Sequence, residues 1–222
     1  MIRLLDLSQF TNIDRFIYAS SGCAIYGSYG EMPLKEDFIS MHLTTPYQIN
    51  KMAGEMYSNF YYHHYGLKTV NCRFFNSFGP GEIPGQYRNV IPNFVYWSML
   101  KKALPLTGTG DETRDFTYVD SVTRVIVEAI LNRVSSPSPV NLAFGTQVSL
   151  LEVISKIENI LGLKLEIEFL EPRIGDVKNS MADNRKLKNL FPEIEPTPFE
   201  EGLLKTIEWF ENKKPWEKTN DF

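Results

Sequence analysis

The chain has 222 residues, of which 43% are hydrophobic and 23% charged, which is the usual composition of a globular protein. A net charge of −4 gives no basic surface for nucleic acid, and no apolar run approaches the ~18 residues that a membrane span needs. We therefore expect neither nucleic acid nor a membrane as a partner. Cys23 and Cys72 are the only cysteines, which excludes a disulfide scaffold and favours a reducing cytoplasm. No histidine lies at metal-ligand spacing, so no metal site is expected.

Hydrophobic periodicity predicts helices and strands that alternate along the chain. In chain order we predict a helix at 2–10, a strand at 15–20, a helix at 47–65, a strand at 67–73, a loop at 76–85, a helix at 90–102, a strand at 116–119, a helix ending at 132, a strand at 140–144, a helix capped at 149 and ending at 161, a strand at 165–170 and a helix at 198–212. This alternation is typical of an α/β protein with a mostly parallel sheet.

Two loops follow predicted strands, at 20–22 and at 76–81. In parallel sheets, ligands bind beyond the carboxyl ends of the strands. These two loops are therefore where we expect the functional chemistry.

Tyr47 and Lys51 are four residues apart at the start of a predicted helix, so their side chains share one face. A free phenol has a pKa of ~10, and a neighbouring ammonium group favours the phenolate. The pair therefore makes a candidate general base or acid. The alternative interpretation is an exposed polar pair on a surface helix, which is the commoner meaning of an isolated Tyr-x-x-x-Lys.

Other motifs accompany this pair in a fixed order. They are Ser20-Ser21 before Tyr26-Gly27, Pro46-Tyr47-x-x-x-Lys51, Arg73-x-x-Asn76-x-x-Gly79-Pro-Gly81, Gly108-x-Gly110-x-x-x-Arg114-Asp-Phe and Arg173-x-Gly175-Asp176. With these motifs, the chain resembles the extended short-chain dehydrogenase/reductase family, in particular NAD-dependent nucleotide-sugar epimerases and dehydratases of the UDP-glucose 4-epimerase kind.

The resemblance implies a partial Rossmann-type parallel sheet with a smaller α/β substrate-binding subdomain. The incomplete dinucleotide-binding subdomain would comprise 1–82 and 117–147, and the nucleotide-sugar-binding subdomain 83–116 and 148–222. NAD is the implied cofactor and a nucleotide-sugar the implied substrate. A homodimer is a further hypothesis, since the family pairs its Tyr-x-x-x-Lys helix in a dimeric bundle.

The resemblance also implies a role for each candidate site residue. Tyr47 would be the catalytic base, Lys51 would bind the nicotinamide ribose, and Ser21 would supply a hydroxyl to the substrate. The remaining assignments are Ser20 to the cofactor, Asn76 and Asn89 to the diphosphate, Arg114 and Arg173 to phosphate or ribose, Asp176 to the ribose, and Ser180 to the size limit on the sugar's C2 substituent.

The sequence departs from the family at two places. It contains no Gly-x-x-Gly-x-x-Gly turn for the NAD pyrophosphate, so we expect the first half of the dinucleotide-binding sheet to be absent and a strand to be exposed as a sheet edge. Gly22 stands where many relatives have Ser or Thr, and no acid follows for water elimination. The predicted activity is therefore epimerisation or a simple oxidation–reduction of the sugar. The alternative to an active enzyme is an inactive remnant that binds a nucleotide-sugar or a partner subunit.

Overall fold

The structure is a computed structural model that describes residues 1–11, 13–86, 88–172 and 177–218. Its helices are α1 (Ile2–Phe10), α2 (Gly22–Tyr26), α3 (Pro46–Tyr65), α4 (Val90–Met99), α5 (Val119–Leu131), α6 (Leu150–Leu161), α7 (Arg185–Leu190) and α8 (Phe199–Lys213), followed by a 3₁₀ turn (Pro215–Lys218). Its strands are β1 (Phe16–Ser21), β2 (Thr69–Phe74), β3 (Asn76–Phe78), β4 (Leu104–Thr107), β5 (Thr113–Tyr118), β6 (Val140–Leu142), β7 (Gln147–Ser149) and β8 (Ile167–Leu170).

The strands form three small sheets. The first is wholly parallel, in the order β1-β2-β6, and β1 has β2 as its one partner strand among the described residues. The second has the order β3-β5-β7, with β5 parallel to β3 and antiparallel to β7, and the third pairs β4 with β8 in parallel. The predicted α/β class with parallel sheets is therefore confirmed.

The side chains of a strand alternate between the two faces of its sheet, and helices cover both faces of the first sheet. On β2, Val70 and Cys72 pack against α5 in one buried cluster. Arg73 points to the opposite face, where it meets Glu55 of α3. A larger core lies around β5 and buries the apolar faces of α4, α6 and α8.

Most predicted helices and strands are present, with ends shifted by a few residues. The predicted loop at 76–85 was wrong at its start, because Asn76–Phe78 forms β3 alongside β5. The short elements α2, β4, β7 and α7 were not predicted at all. The β3-β5-β7 sheet contains residues from both predicted subdomains, the dinucleotide-binding one and the nucleotide-sugar-binding one. The proposed subdomain boundaries stay a prediction.

Gly54 lets α3 approach the first sheet closely. A Cβ atom placed on Gly54 would lie 2.1 Å from the hydroxyl oxygen of Tyr18 and 2.3 Å from the adjoining ring carbon. The Tyr18 side chain is partly buried, and its hydroxyl lies against α3, 3.4 Å from the Lys51 carbonyl oxygen. The absence of a side chain at this position therefore fixes the distance between α3 and β1.

We expect Gly54→Ala to destabilise the protein by about 1–3 kcal/mol through this clash, even though alanine is about 1 kcal/mol better than glycine within a helix. Urea unfolding of Gly54→Ala, with and without Tyr18→Ala, measures the effect. The cost should largely disappear in the Tyr18→Ala background. An equal cost in both backgrounds would show that the contact with Tyr18 is not its cause.

Candidate active site at the carboxyl end of the first sheet

The helix that carries the Tyr47–Lys51 pair has well-defined ends. The Thr45 hydroxyl accepts a hydrogen bond from the Gln48 backbone N–H while the Gln48 side chain accepts one from the Thr45 N–H, which is a capping box. Pro46 occupies the first helical position, where its missing N–H costs nothing. Gly66 ends the helix in the left-handed conformation. The local sequence thus fixes Tyr47 in the first turn.

Tyr47 and Lys51 share one face of α3, as the spacing predicts. The Lys51 Nζ lies 5.6 Å from the centroid of the Tyr47 ring and 5.6 Å from that of Tyr18. It also donates a 2.7 Å hydrogen bond to the carbonyl oxygen of Ala19 near the end of β1. The Tyr47 side chain is 56% exposed. The ammonium group is therefore anchored to the strand end while the phenol remains open to a ligand.

The two predicted serines are used differently. The Ser21 hydroxyl accepts a hydrogen bond from the Ala24 N–H and caps α2. The Ser20 hydroxyl donates to the buried Glu55 carboxylate, so it faces the protein interior. The functional roles predicted for both residues stay predictions.

Gly22 has no space for a side chain. A Cβ atom there would lie 2.4 Å from the Phe75 ring. A hydroxyl-bearing residue at this position would therefore displace Phe75. The described residues around this strand end offer Ser21 as the nearest hydroxyl in sequence.

The sequence did not reveal a buried ionic network beneath α3. Arg73 is fully buried, and its guanidinium donates from Nε and Nη2 to both oxygens of the Glu55 carboxylate, at 2.9 and 2.8 Å. The paired Glu55 carboxylate helps keep the Arg73 pKa above its usual value, although burial alone would lower that pKa. Glu55 lies one helical turn after Lys51. The periodicity could have suggested a shared face, but not the strand residue that pairs with it.

Tyr26 extends this network. Its hydroxyl accepts a 2.8 Å hydrogen bond from Arg73 Nη1 and donates a 2.7 Å bond to Asn141 Oδ1. Burial raises the pKa of Tyr26 to about 12 despite the nearby guanidinium, so the phenol stays protonated at neutral pH. The network therefore connects α2, β2, α3 and β6 through side chains that are buried and hydrogen-bonded.

A cleft of about 540 Å³ is lined mainly by residues from the start of β3, from the segment 85–97 and from β4 and β5. None of its lining residues belongs to β1, α2 or α3, so Tyr47, Lys51 and Ser21 are not part of it. The predicted residues Asn76, Asn89 and Arg114 all line it. Asn89 donates to the Glu82 carboxylate at 2.8 Å, and Arg114 donates from Nη1 to the carbonyl oxygens of Thr113 and Lys178. The structure thus brings Asn76 and Asn89, which the resemblance assigns to the diphosphate, onto one cleft with Arg114, which it assigns to phosphate or ribose.

Asp115 holds together the segments around this cleft. Its fully buried carboxylate accepts backbone hydrogen bonds from Gly145, Thr146 and Ala182 at 2.9–3.2 Å. Burial raises the pKa of Asp115 to about 6, although the three N–H donors act in the opposite direction. The carboxylate fixes β5 beside the segment that carries Ser180.

Three further predicted residues lie in that segment. Ser180 is 1% exposed and stands two residues before Ala182. Arg173 and Asp176 fall outside the described residues, so the structure does not test their positions.

The part of the chain that the structure describes contains neither a candidate metal site nor a candidate membrane-spanning helix. No group of three or more His, Cys, Asp or Glu side chains there could hold a metal ion. None of the helices described combines the length and hydropathy that crossing a bilayer requires.

Comparison with known proteins supplies the family. The profile of the NAD dependent epimerase/dehydratase family matches residues 1–143. The chain belongs to this family. It is 31% identical over 216 residues to a putative UDP-glucose 4-epimerase of Methanocaldococcus jannaschii, covering 95% of this chain and 68% of that protein. The resemblance expected from the five motifs is therefore confirmed.

Solved structures agree with this assignment. An epimerase from Methanothermobacter thermautotrophicus superposes with a TM-score of 0.90 at 39% identity, covering 98% of this chain and 64% of its own. UDP-glucose 4-epimerase from Thermus thermophilus, solved in complex with NAD, gives 0.84 at 27% identity, covering 96% and 68%. These neighbours confirm the Rossmann-type fold class. The chain spans about two thirds of the length of these relatives.

We expect Glu55→Ala to destabilise the protein by about 3–5 kcal/mol, because it leaves the Arg73 guanidinium buried without a counter-charge. Glu201 is the matched control, since its ion pair with Lys205 is about half exposed and its loss should cost below ~1 kcal/mol. Urea unfolding measures both. Similar costs for Glu55→Ala and Glu201→Ala would contradict a special role for the buried pair.

Proposed function

We propose that this chain carries the catalytic and substrate-binding residues of an NAD-dependent nucleotide-sugar epimerase of the UDP-hexose 4-epimerase type. One observation carries the proposal: the exposed phenol of Tyr47 stands beside the Lys51 ammonium, which is anchored to the end of β1. Ligands of parallel α/β sheets bind at such strand ends. Family membership and the names of the relatives support the same reaction class.

In this proposal Tyr47 is the base that takes the proton from the sugar O4 and later returns it. The Lys51 ammonium, 5.6 Å from the centroid of the Tyr47 ring, is proposed to stabilise the negative charge that develops during this transfer. When bound, NAD⁺ would supply the reversible hydride chemistry at C4 that this proton transfer accompanies. The net reaction inverts the configuration at C4 without loss of atoms.

The residues near Tyr47 suit the nicotinamide ribose. An ammonium group has three N–H donors, and the Ala19 carbonyl uses one of those on Lys51. The others are available for ribose hydroxyls. The chain thus fits that part of the cofactor.

The cleft residues suit a nucleoside diphosphate. Arg114 presents a guanidinium, which binds phosphate oxygens in pairs. Asn89 lines the same cleft, and its amide donates to Glu82 and to the Ser77 carbonyl, so it would have to exchange one of these bonds to bind a phosphate. Arg173 and Asp176 are proposed to contact the phosphate or the ribose on the strength of their motif alone.

Positions 22–24 are Gly, Cys and Ala, which offer no carboxyl group for eliminating water, so we favour epimerisation over dehydration.

A second candidate function is a catalytically inactive protein that binds a nucleotide-sugar or a partner subunit. The observation that favours it is the single partner strand that β1 has among the described residues, since parallel strands are normally paired and covered. The large apolar side chains of Leu4, Leu7 and Phe10 on α1 are also exposed. A homodimer through α1 and α3 is one form such a partnership would take.

Activity separates the two candidates. With NAD⁺ and UDP-glucose or UDP-N-acetylglucosamine, we expect the C4 epimer to form, and Tyr47→Phe to slow the reaction by about 10²- to 10⁴-fold because the proton acceptor is lost. Chromatography of the nucleotide-sugars measures the product. Tyr57→Phe, an exposed tyrosine on the same helix, is the matched control and should retain full activity.

Calorimetry with the same UDP-sugars and fluorescence titration with NAD⁺ complete the test. Binding of the UDP-sugar without NAD⁺ binding or epimer formation would favour the inactive candidate. Absence of UDP-sugar binding would contradict both the active epimerase and the inactive protein that binds a nucleotide-sugar.

A further inference from the structure

The Lys51 ammonium lies close to two aromatic rings, of which the sequence motifs predicted only one. Its Nζ atom is 5.6 Å from the centroid of the Tyr47 ring and 5.6 Å from that of the Tyr18 ring on β1. An ammonium group within about 6 Å of a ring centroid is attracted by the negative face of the ring. The ammonium also donates its 2.7 Å hydrogen bond to the carbonyl of Ala19, which follows Tyr18 in β1. Two adjacent residues of β1 therefore contact this charge.

Tyr18 is packed against α3, whereas Tyr47 is open. The Tyr18 hydroxyl oxygen lies 3.5 and 3.4 Å from the carbonyl oxygens of Asn50 and Lys51. It comes this close to the helix because Gly54 has no side chain, since a Cβ atom there would lie 2.1 Å from the same oxygen. Tyr47 is 56% exposed. Tyr18 is thus the ring that meets the Lys51 turn of the helix without help from a ligand.

The Tyr18 phenol is suited to hold a charge rather than to transfer a proton. Burial raises its pKa, and a negative charge on Glu55 or on Tyr47 acts in the same direction. The phenol therefore stays protonated at neutral pH. A neutral ring of this kind attracts a cation through its face.

We propose that Tyr18 is a positioning residue for the reaction, whose ring holds the Lys51 ammonium on β1 beside Tyr47. This rests on the proposed function. A lysine carries its charge on a flexible four-carbon stem, so an unrestrained ammonium group would be spread over many positions. The contact with Tyr18 restricts Lys51 before a ligand binds, and the charge then stands ready where Tyr47 takes up a proton. In this proposal Tyr18 touches neither substrate nor cofactor and acts through Lys51.

Acetylation of lysines in the ligand-free chain tests the contact without any reaction. Tyr18→Leu removes the ring, and acetic anhydride should then modify Lys51 about threefold faster or more, as measured by mass spectrometry of peptides. Tyr18→Phe keeps the ring and should restore the slower rate. Lys68 is the internal control, because its Nζ lies 5.4 Å from the centroid of the Tyr62 ring, which neither change alters. Equal rates for Lys51 in all three chains would overturn the proposal.

A ring of similar shape but opposite electrostatics separates attraction of the cation from packing. Replacing Tyr18 by pentafluorophenylalanine reverses the charge on the ring face, so Lys51 should be acetylated as fast as in Tyr18→Leu. This comparison with Tyr18→Phe also decides the matter if Tyr18→Leu does not fold. A Lys51 rate equal to that in Tyr18→Phe would show that the ring acts through packing alone, and the proposal would be wrong.

Epimerisation kinetics with NAD⁺ and UDP-glucose give the functional readout. Relative to Tyr18→Phe, Tyr18→Leu should lower kcat about three- to tenfold. The KM for UDP-glucose should change less than about twofold, because the charge near Tyr47 develops during proton transfer and not on sugar binding. An effect on KM alone would contradict the positioning role. If the original chain forms no epimer, the proposed function fails, and the acetylation rates still decide whether Tyr18 holds the ammonium.

Discussion

The geometry of the candidate site depends on the buried ion pair between Arg73 and Glu55. A guanidinium that is wholly removed from water must be paired, because an isolated buried charge is very costly. The observed placement of α3 on the sheet brings the Glu55 carboxylate against Nε and Nη2 of Arg73. Lys51 and Tyr47 lie one and two turns earlier on the same helix. The pair that keeps Arg73 satisfied therefore also sets where the phenol and ammonium stand relative to the strand ends.

Most polar side chains at this strand end form hydrogen bonds with backbone groups. These bonds order the site before a ligand binds. Lys51 holds a β1 carbonyl, Ser21 caps α2, and Asp115 gathers three backbone N–H groups beside the cleft. Each interaction removes freedom from a residue or segment that a substrate would otherwise have to order. Preorganised groups of this kind are what allow binding and catalysis without a large entropic cost.

The sequence was informative where structure is local. The helix cap at Ser149 and the Tyr47–Lys51 face depend on residues within four positions of each other, and both were predicted. The capping box between Thr45 and Gln48 of α3 is equally local, but it was not predicted. It was uninformative where pairing is long-range. Asn141 lies 115 residues from Tyr26, and β3 forms only because β5 pairs with it, so a Gly- and Pro-rich stretch was predicted as loop from its first residue. Ser20 was assigned to the cofactor on the resemblance, and that role stays a prediction, while its hydrogen bond to Glu55 could not be recognised from spacing.

The packing around Gly22 also bears on the proposed chemistry. The Phe75 ring fills the volume that a side chain at position 22 would need, so the backbone and not a hydroxyl lies at this point. The Ser21 hydroxyl accepts the Ala24 N–H through a lone pair, which leaves its own hydrogen free to donate to a substrate oxygen. A proton acceptor is a different requirement, and in the proposed function it is the open phenol of Tyr47 beside the Lys51 ammonium. A glycine at position 22 therefore offers no hydroxyl donor at the strand end, but the Tyr47–Lys51 pair on which the proposed reaction depends does not involve this position.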